Sequence, residues 1–175
     1  FRAFQLDQET LSVGQTAQIT ASLSPEDATL QGVTYESRKP EVAAVDENGV
    51  VTGMSRGSAT IRVKSEDGYA QTRVTVQVRQ PAEEIQLELA KATLPEGKTA
   101  TVKATVLPKD TNNKKLTWSS SDESIATVNR EGRVKGIQPG TVTITAASAE
   151  VPEVTGSIDV QVVRLAKSVA FEQKE

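Results

Sequence analysis

Apolar and polar residues alternate with a period of two along most of the chain. Ala17, Ile19, Ala21 and Leu23 are interleaved with Gln18, Thr20 and Ser22, and Ala100, Val102, Ala104 and Val106 with Thr101, Lys103 and Thr105. Successive side chains of a strand point to opposite faces, so this pattern predicts strands with one buried and one wet face. The same period returns at Ala59, Ile61 and Val63, at Val142 and Ile144, at Val74, Val76 and Val78, and at Ile158, Val160 and Val162. No segment carries a helical period of useful length. Pro25 and Pro108 are expected to end the strands before them, because proline has no N–H to give to a ladder.

Turn signals separate these segments. Asp46-Glu47-Asn48-Gly49 and Asn129-Arg130-Glu131-Gly132 each have valines nearby on both sides, which predicts four-residue hairpin loops closed by a glycine at positive φ. Shifting the chain by 83 positions sets Leu11 to Asp67 on Leu94 to Glu150 without a gap. Leu11 then meets Leu94, Ala43 meets Ala126, Gly49 meets Gly132, Gly57 meets Gly140, and Ile61 meets Ile144. The chain is therefore an internal duplication. Roughly seven short strands per copy, with no helix between them, predict two sandwiches of two sheets each. Tyr35 and Trp118 share one aligned position, where a large ring is expected to fill the core between the sheets. The expected divisions are a first sandwich over 1–79, a second over 80–163, and a linker with the first strand of an incomplete third repeat over 164–175, where Val169-Ala170-Phe171 mirrors Ile85-Gln86-Leu87.

These residues resemble the bacterial immunoglobulin-like domains of group 2. The second copy carries Leu107-Pro108-Lys109-Asp110, Leu116-Thr117-Trp118-Ser119-Ser120-Ser121-Asp122, Ile125-Ala126-Thr127-Val128 and Gly132-Arg133-Val134-Lys135-Gly136. In the first copy, Tyr35-Glu36-Ser37-Arg38 replaces the family's Trp-Ser-Ser pattern. The resemblance implies an all-β fold of tandem immunoglobulin-like sandwiches in an extracellular or cell-surface setting. It further implies a non-catalytic spacer or stalk with a part in cell adhesion, as in adhesins of the intimin, invasin and leptospiral types. Accessory modules of secreted polysaccharide-processing enzymes and phage decoration domains are the alternatives. The expected partner is a host or neighbouring cell-surface protein or glycan.

Composition narrows the chemistry. The chain has 175 residues, 37% of them hydrophobic and 25% charged, enough to build a core. Cysteine and histidine are absent, which excludes thiolate nucleophiles, Ser-His pairs and zinc sites of nitrogen or sulfur donors. A net charge of −3 without a basic cluster along the sequence predicts no nucleic-acid binding and no attraction to anionic membranes. No apolar run reaches the length of a membrane-spanning helix. The start at Phe1 reads as a processed or excised segment. A monomer without a cofactor is expected.

Candidate sites are few. Asp46, Glu47 and Asn48 place oxygen donors in one turn, but too few to wrap calcium, so a polar hairpin tip is expected. Glu83 and Glu84 in the linker, with Asp7 or Asp110, are a second candidate for calcium, but no repeated acidic spacing supports it. Carboxylate-only catalysis needs two acids across a cleft, and no pattern singles out a pair. Ser119, Ser120, Ser121 and Asp122 lack a general base and read as a hydrogen-bonded turn. Aromatic residues make up only 3% of the chain. Of these Tyr69, in the turn Glu66-Asp67-Gly68-Tyr69, is the exposed ring expected to make a surface contact. No catalytic, cofactor or metal residue is predicted.

Overall fold

A computed structural model describes residues 3–24, 26 and 29–169, with side chains from residue 5 onward. All regular structure among these residues is β, and no helix is long and apolar enough to cross a membrane. The chain divides into two compact units, Phe1–Pro81 and Ala82–Glu175.

The first unit contains β1 (Ala3–Leu6), β2 (Thr10–Ser12), β3 (Thr16–Ser22), β4 (Val33–Ser37), β5 (Ala43–Val45), β6 (Val50–Gly53), β7 (Gly57–Ser65) and β8 (Gln71–Arg79). One sheet has the order β1-β3-β6-β5 and the other β2-β8-β7-β4. Every pairing is antiparallel except that of β2 with β8. The opening segment therefore serves both sheets, as β1 in one and, after Asp7, Gln8 and Glu9, as β2 in the other. The alternation in sequence becomes burial: Leu11, Ile19, Val51, Ile61, Val63 and Val76 are fully enclosed between the sheets. Each such side chain contributes about 1.5–3 kcal/mol.

The second unit repeats the plan with β9 (Glu84–Glu88), β10 (Thr93–Pro95), β11 (Thr99–Thr101), β12 (Lys103–Leu107), β13 (Leu116–Ser120), β14 (Ala126–Val128), β15 (Arg133–Gly136), β16 (Gly140–Ser148) and β17 (Thr155–Val163). The counterpart of β3 is interrupted at Val102 and becomes β11 and β12. The Val102 N–H still donates to Gly132 O at 2.9 Å, as Ile19 N–H does to Gly49 O. Leu94, Val134, Val142, Ile144 and Val160 form one core cluster, and Ala82, Ile85, Val106 and Ala146 another. Each copy thus has one or two more strands than the seven expected. The split opening strand accounts for one in each, because a three-residue segment such as Thr10–Ser12 is too short to show a period. The longest strands run nine residues, or about 30 Å.

Tyr35 and Trp118 are only partly buried, at the margin of the core rather than its centre. Each ring closes over the glycine of the hairpin loop. A Cβ added to Gly49 would stand 2.7 Å from Tyr35 Cζ, and one on Gly132 2.7 Å from Trp118 Cζ2. Both glycines also take positive φ, +80° and +76°, so two independent constraints require glycine there. The two hairpins form as expected. Asp46 Oδ1 accepts the N–H groups of Asn48 and Val50, and Asn129 Oδ1 those of Glu131 and Arg133. Pro25, Ala170 and Phe171 lie outside the described residues. Val169 belongs to no strand and is 97% exposed, whereas Ile85, its expected counterpart, is 5% exposed.

Candidate functional site

Tyr69 stands in the turn between β7 and β8 and is 94% exposed. The turn is built from Ser65, whose backbone N–H donates to Ala70 O and whose hydroxyl accepts from the Ala70 N–H at 2.9 Å. The Ser65 hydroxyl and the Tyr69 N–H both donate to Asp67 Oδ1, and together they hold that carboxyl below the ordinary aspartate range. Gly68 completes the reversal at φ +77°. The Glu66 N–H donates to Gly32 O at 2.8 Å, which ties the turn to the loop preceding β4. Tyr69 is the one large aromatic side chain exposed among the described residues. A lone ring on a rigid turn offers an anchor but no stacking platform.

The other polar candidates are engaged in local structure. Asp46 supports its own hairpin. Ser120 donates to Ala126 O at 2.7 Å, Ser121 Oγ accepts from the Thr143 N–H, and Asp122 accepts from both the N–H and the hydroxyl of Ser124. Those Ser124 bonds hold the Asp122 carboxyl below its usual value. Glu84 accepts from Gln86. Among the described residues, no three acidic side chains converge as a metal site would require. An open cleft of about 540 Å³ in the second unit is lined by Pro95, Glu96, Lys98, Arg164, Leu165, Ala166 and Lys167. Arg164 Nε donates to Glu96 Oε2 at 2.7 Å, lowering the Glu96 carboxyl and raising the guanidinium.

The folded first unit holds a basic cluster that the linear sequence does not show. On the outward face of the β2-β8-β7-β4 sheet, Arg62 lies opposite Arg73 on one side and Glu36 on the other. Lys64 follows two residues along β7. The Arg38 N–H donates to Thr60 O, which continues the β4 side of the ladder. Arg62 Nη1 is 3.6 Å from Glu36 Oε2. The aligned positions of the second unit are Ser119, Ser121, Thr145, Ala147 and Ser157, none of them charged. Period-two reading locates buried faces; it does not reveal which outward residues on different strands become neighbours.

The model of the bacterial Ig-like domain family, group 2, matches residues 1–76 and 81–158. The chain belongs to this family. Relatives of these Ig-like domains include a 3-O-alpha-D-galactosyl-alpha-L-arabinofuranosidase of Bifidobacterium longum, 46% identical over 72 residues, which are 41% of this chain and 6% of that protein. An Ig-like virion protein of Serratia phage KSP90 is 34% identical over 149 residues, 82% of this chain and 58% of that protein. Among solved structures, a C-terminal fragment of intimin in complex with the intimin-binding domain of its receptor aligns with TM-score 0.53 and 18% identity, covering 91% of this chain and 62% of that one. The chain thus spans less than two thirds of each of these proteins. The relatives of this chain thus include both an enzyme and a virion protein.

Proposed function

We propose that the two Ig-like domains are non-catalytic modules of a bacterial cell-surface or secreted protein, positioned outside the cell, which space its parts and contribute to adhesion. The observation that carries this reading is the duplication itself: two sandwiches with matching cores and turns whose outward surfaces differ. The polar candidates Asp46, Ser120, Ser121 and Asp122 are engaged in hydrogen bonds of local turns and strands. We read the sequence of residues 164–175 as a linker and the opening strand of a further repeat, because Val169-Ala170-Phe171 mirrors Ile85-Gln86-Leu87. A second reading, an accessory module of a polysaccharide-processing enzyme, is favoured by the identity with the arabinofuranosidase segment.

Flow cytometry with the labelled chain, and pull-down on insoluble neutral polysaccharides, separate the two. Adhesion predicts saturable binding to cells that weakens in Tyr69→Ala, whereas an accessory module predicts retention on polysaccharide alone. Turnover of a glycoside or peptide substrate, abolished by substituting one Asp or Glu, would overturn the non-catalytic reading.

A further inference from the structure

We infer that the outward face of β4, β7 and β8 in the first domain is a binding site for a linear acidic polysaccharide that bears carboxylate or sulfate groups on successive sugars. Four cations, Arg38, Arg62, Lys64 and Arg73, meet there with one carboxylate, Glu36. Directly opposed residues have Cβ atoms about 4.5–5.5 Å apart, and alternate residues on one strand lie about 7 Å apart. Those intervals are close to the length of one sugar unit, so a chain lying across the face can present successive anions to successive cations.

The face is neutralised internally by one carboxylate only. Glu36 reaches Arg62, but no ion pair involves Lys64 or Arg73 among the described residues, and the buried Arg62 Nε–H has no acceptor there. Opposed like charges destabilise a strand pair. An anion between Arg62 and Arg73 converts that repulsion into paired charge-assisted hydrogen bonds. A further cation, Arg79, lies on the same face at the far end of β8, and the remaining outward positions, Thr34, Ser58, Thr60, Gln71, Thr75 and Gln77, offer hydroxyls and amides suited to sugar hydroxyls. No outward side chain on these strands is apolar or aromatic, so the face lacks the anchors that dominate protein interfaces and the rings on which nucleic-acid bases stack. The second domain, with Ser119, Ser121, Thr145, Ala147 and Ser157 at the same places, is a built-in negative comparison. The site stands whether the parent protein spaces, adheres or accompanies an enzyme.

Affinity electrophoresis and biolayer interferometry of the whole chain test this, with polygalacturonate as the carboxylated probe and dextran sulfate as the sulfated one. Neutral dextran, poly-glutamate and a single-stranded oligonucleotide complete the panel. Expected is salt-sensitive binding to one or both acidic polysaccharides that falls about tenfold or more in Lys64→Thr/Arg73→Ser. It stays unchanged in the charge-matched control Lys98→Gln/Arg133→Gln. Adding Thr145→Arg and Ser157→Arg to the double variant should restore binding on the second domain, a readout independent of how the first domain folds. Undiminished binding by the double variant, failure of the graft to raise it, or equally tight binding of neutral dextran, poly-glutamate or oligonucleotide overturns the proposal.

Discussion

Position for position, the buried residues of the first domain have counterparts of the same kind in the second: Leu11 and Leu94, Ala43 and Ala126, Val51 and Val134, and Ile61 and Ile144 are all enclosed. The outward residues of the same strands diverge, with Glu36, Arg62, Lys64 and Arg73 in one domain and Ser119, Thr145, Ala147 and Ser157 in the other. The contrast follows from strand geometry. Every second side chain is committed to the core, where a lost methylene is felt, while its neighbours face water, where most substitutions shift stability by less than about 0.5 kcal/mol. One scaffold can thus carry two surfaces, and a surface difference is evidence about binding rather than folding.

The largest expected effect breaks the part the domains share. In Gly132→Ala, the new methyl meets the Trp118 ring at 2.7 Å and Val102 O at 3.1 Å at φ +76°. Left-handed strain and overpacking together should destabilise the second domain by about 2–4 kcal/mol. Gly97 has nearly the same φ, +78°, but nothing within 4 Å, so Gly97→Ala carries the strain alone, about 1–2 kcal/mol. Denaturant unfolding followed by the single tryptophan, which lies in the second domain, measures both. Equal losses would show that the ring does not press on the hairpin.

That pair of glycines also marks what could be read in advance. The alternation at Ala59, Ile61 and Val63 announced β7, and Asp46 to Gly49 announced the hairpin of β5 and β6, because period and turn chemistry are local. The ring over Gly49 was not legible as such, since Tyr35 and Gly49 belong to different sheets and meet only after these pack. The split of the opening strand was hidden because three residues cannot display a period. The cationic face was hidden for a third reason. Residues 38, 62, 64 and 73 form no cluster in sequence, and strand register alone makes them neighbours. Tyr69 was legible as exposed because it sits beside Gly68 in a turn, although no second exposed ring among the described residues joins it.

A smaller effect makes the two surfaces alike. Arg73→Ser gives the first domain the residue that the second has at Ser157, and relieves the repulsion from Arg62 across the strand pair. Stability at low ionic strength should rise by about 0.2–1 kcal/mol, and the gain should shrink as salt screens the exposed charges. Calorimetry of the native chain and the variant at two salt concentrations reads this. A loss of stability at both would mean that the paired arginines support the sheet rather than strain it.

The smallest effect concerns acid. Among the described residues, each domain has one aspartate held below its ordinary range by a serine hydroxyl and backbone N–H donation, Asp67 in the first and Asp122 in the second, so these contributions run in parallel. The second domain adds Glu96, depressed chiefly by its hydrogen bond from Arg164, whereas the first has Val13 and Gln80 at the matching places. A carboxyl lowered in the folded state stabilises it above the unfolded-state value, roughly pH 4.3 for glutamate, and that contribution disappears as pH falls through the depressed value. Acidification below about pH 4.3 should therefore cost the second domain slightly more than the first. The difference should be small because the pair is solvent-exposed, and it should weaken further in salt. Glu96→Gln should remove this excess sensitivity while leaving stability near neutral pH little changed. An NMR titration of the Glu96 carboxyl that finds the ordinary value would show that the Arg164 contact does not persist in solution.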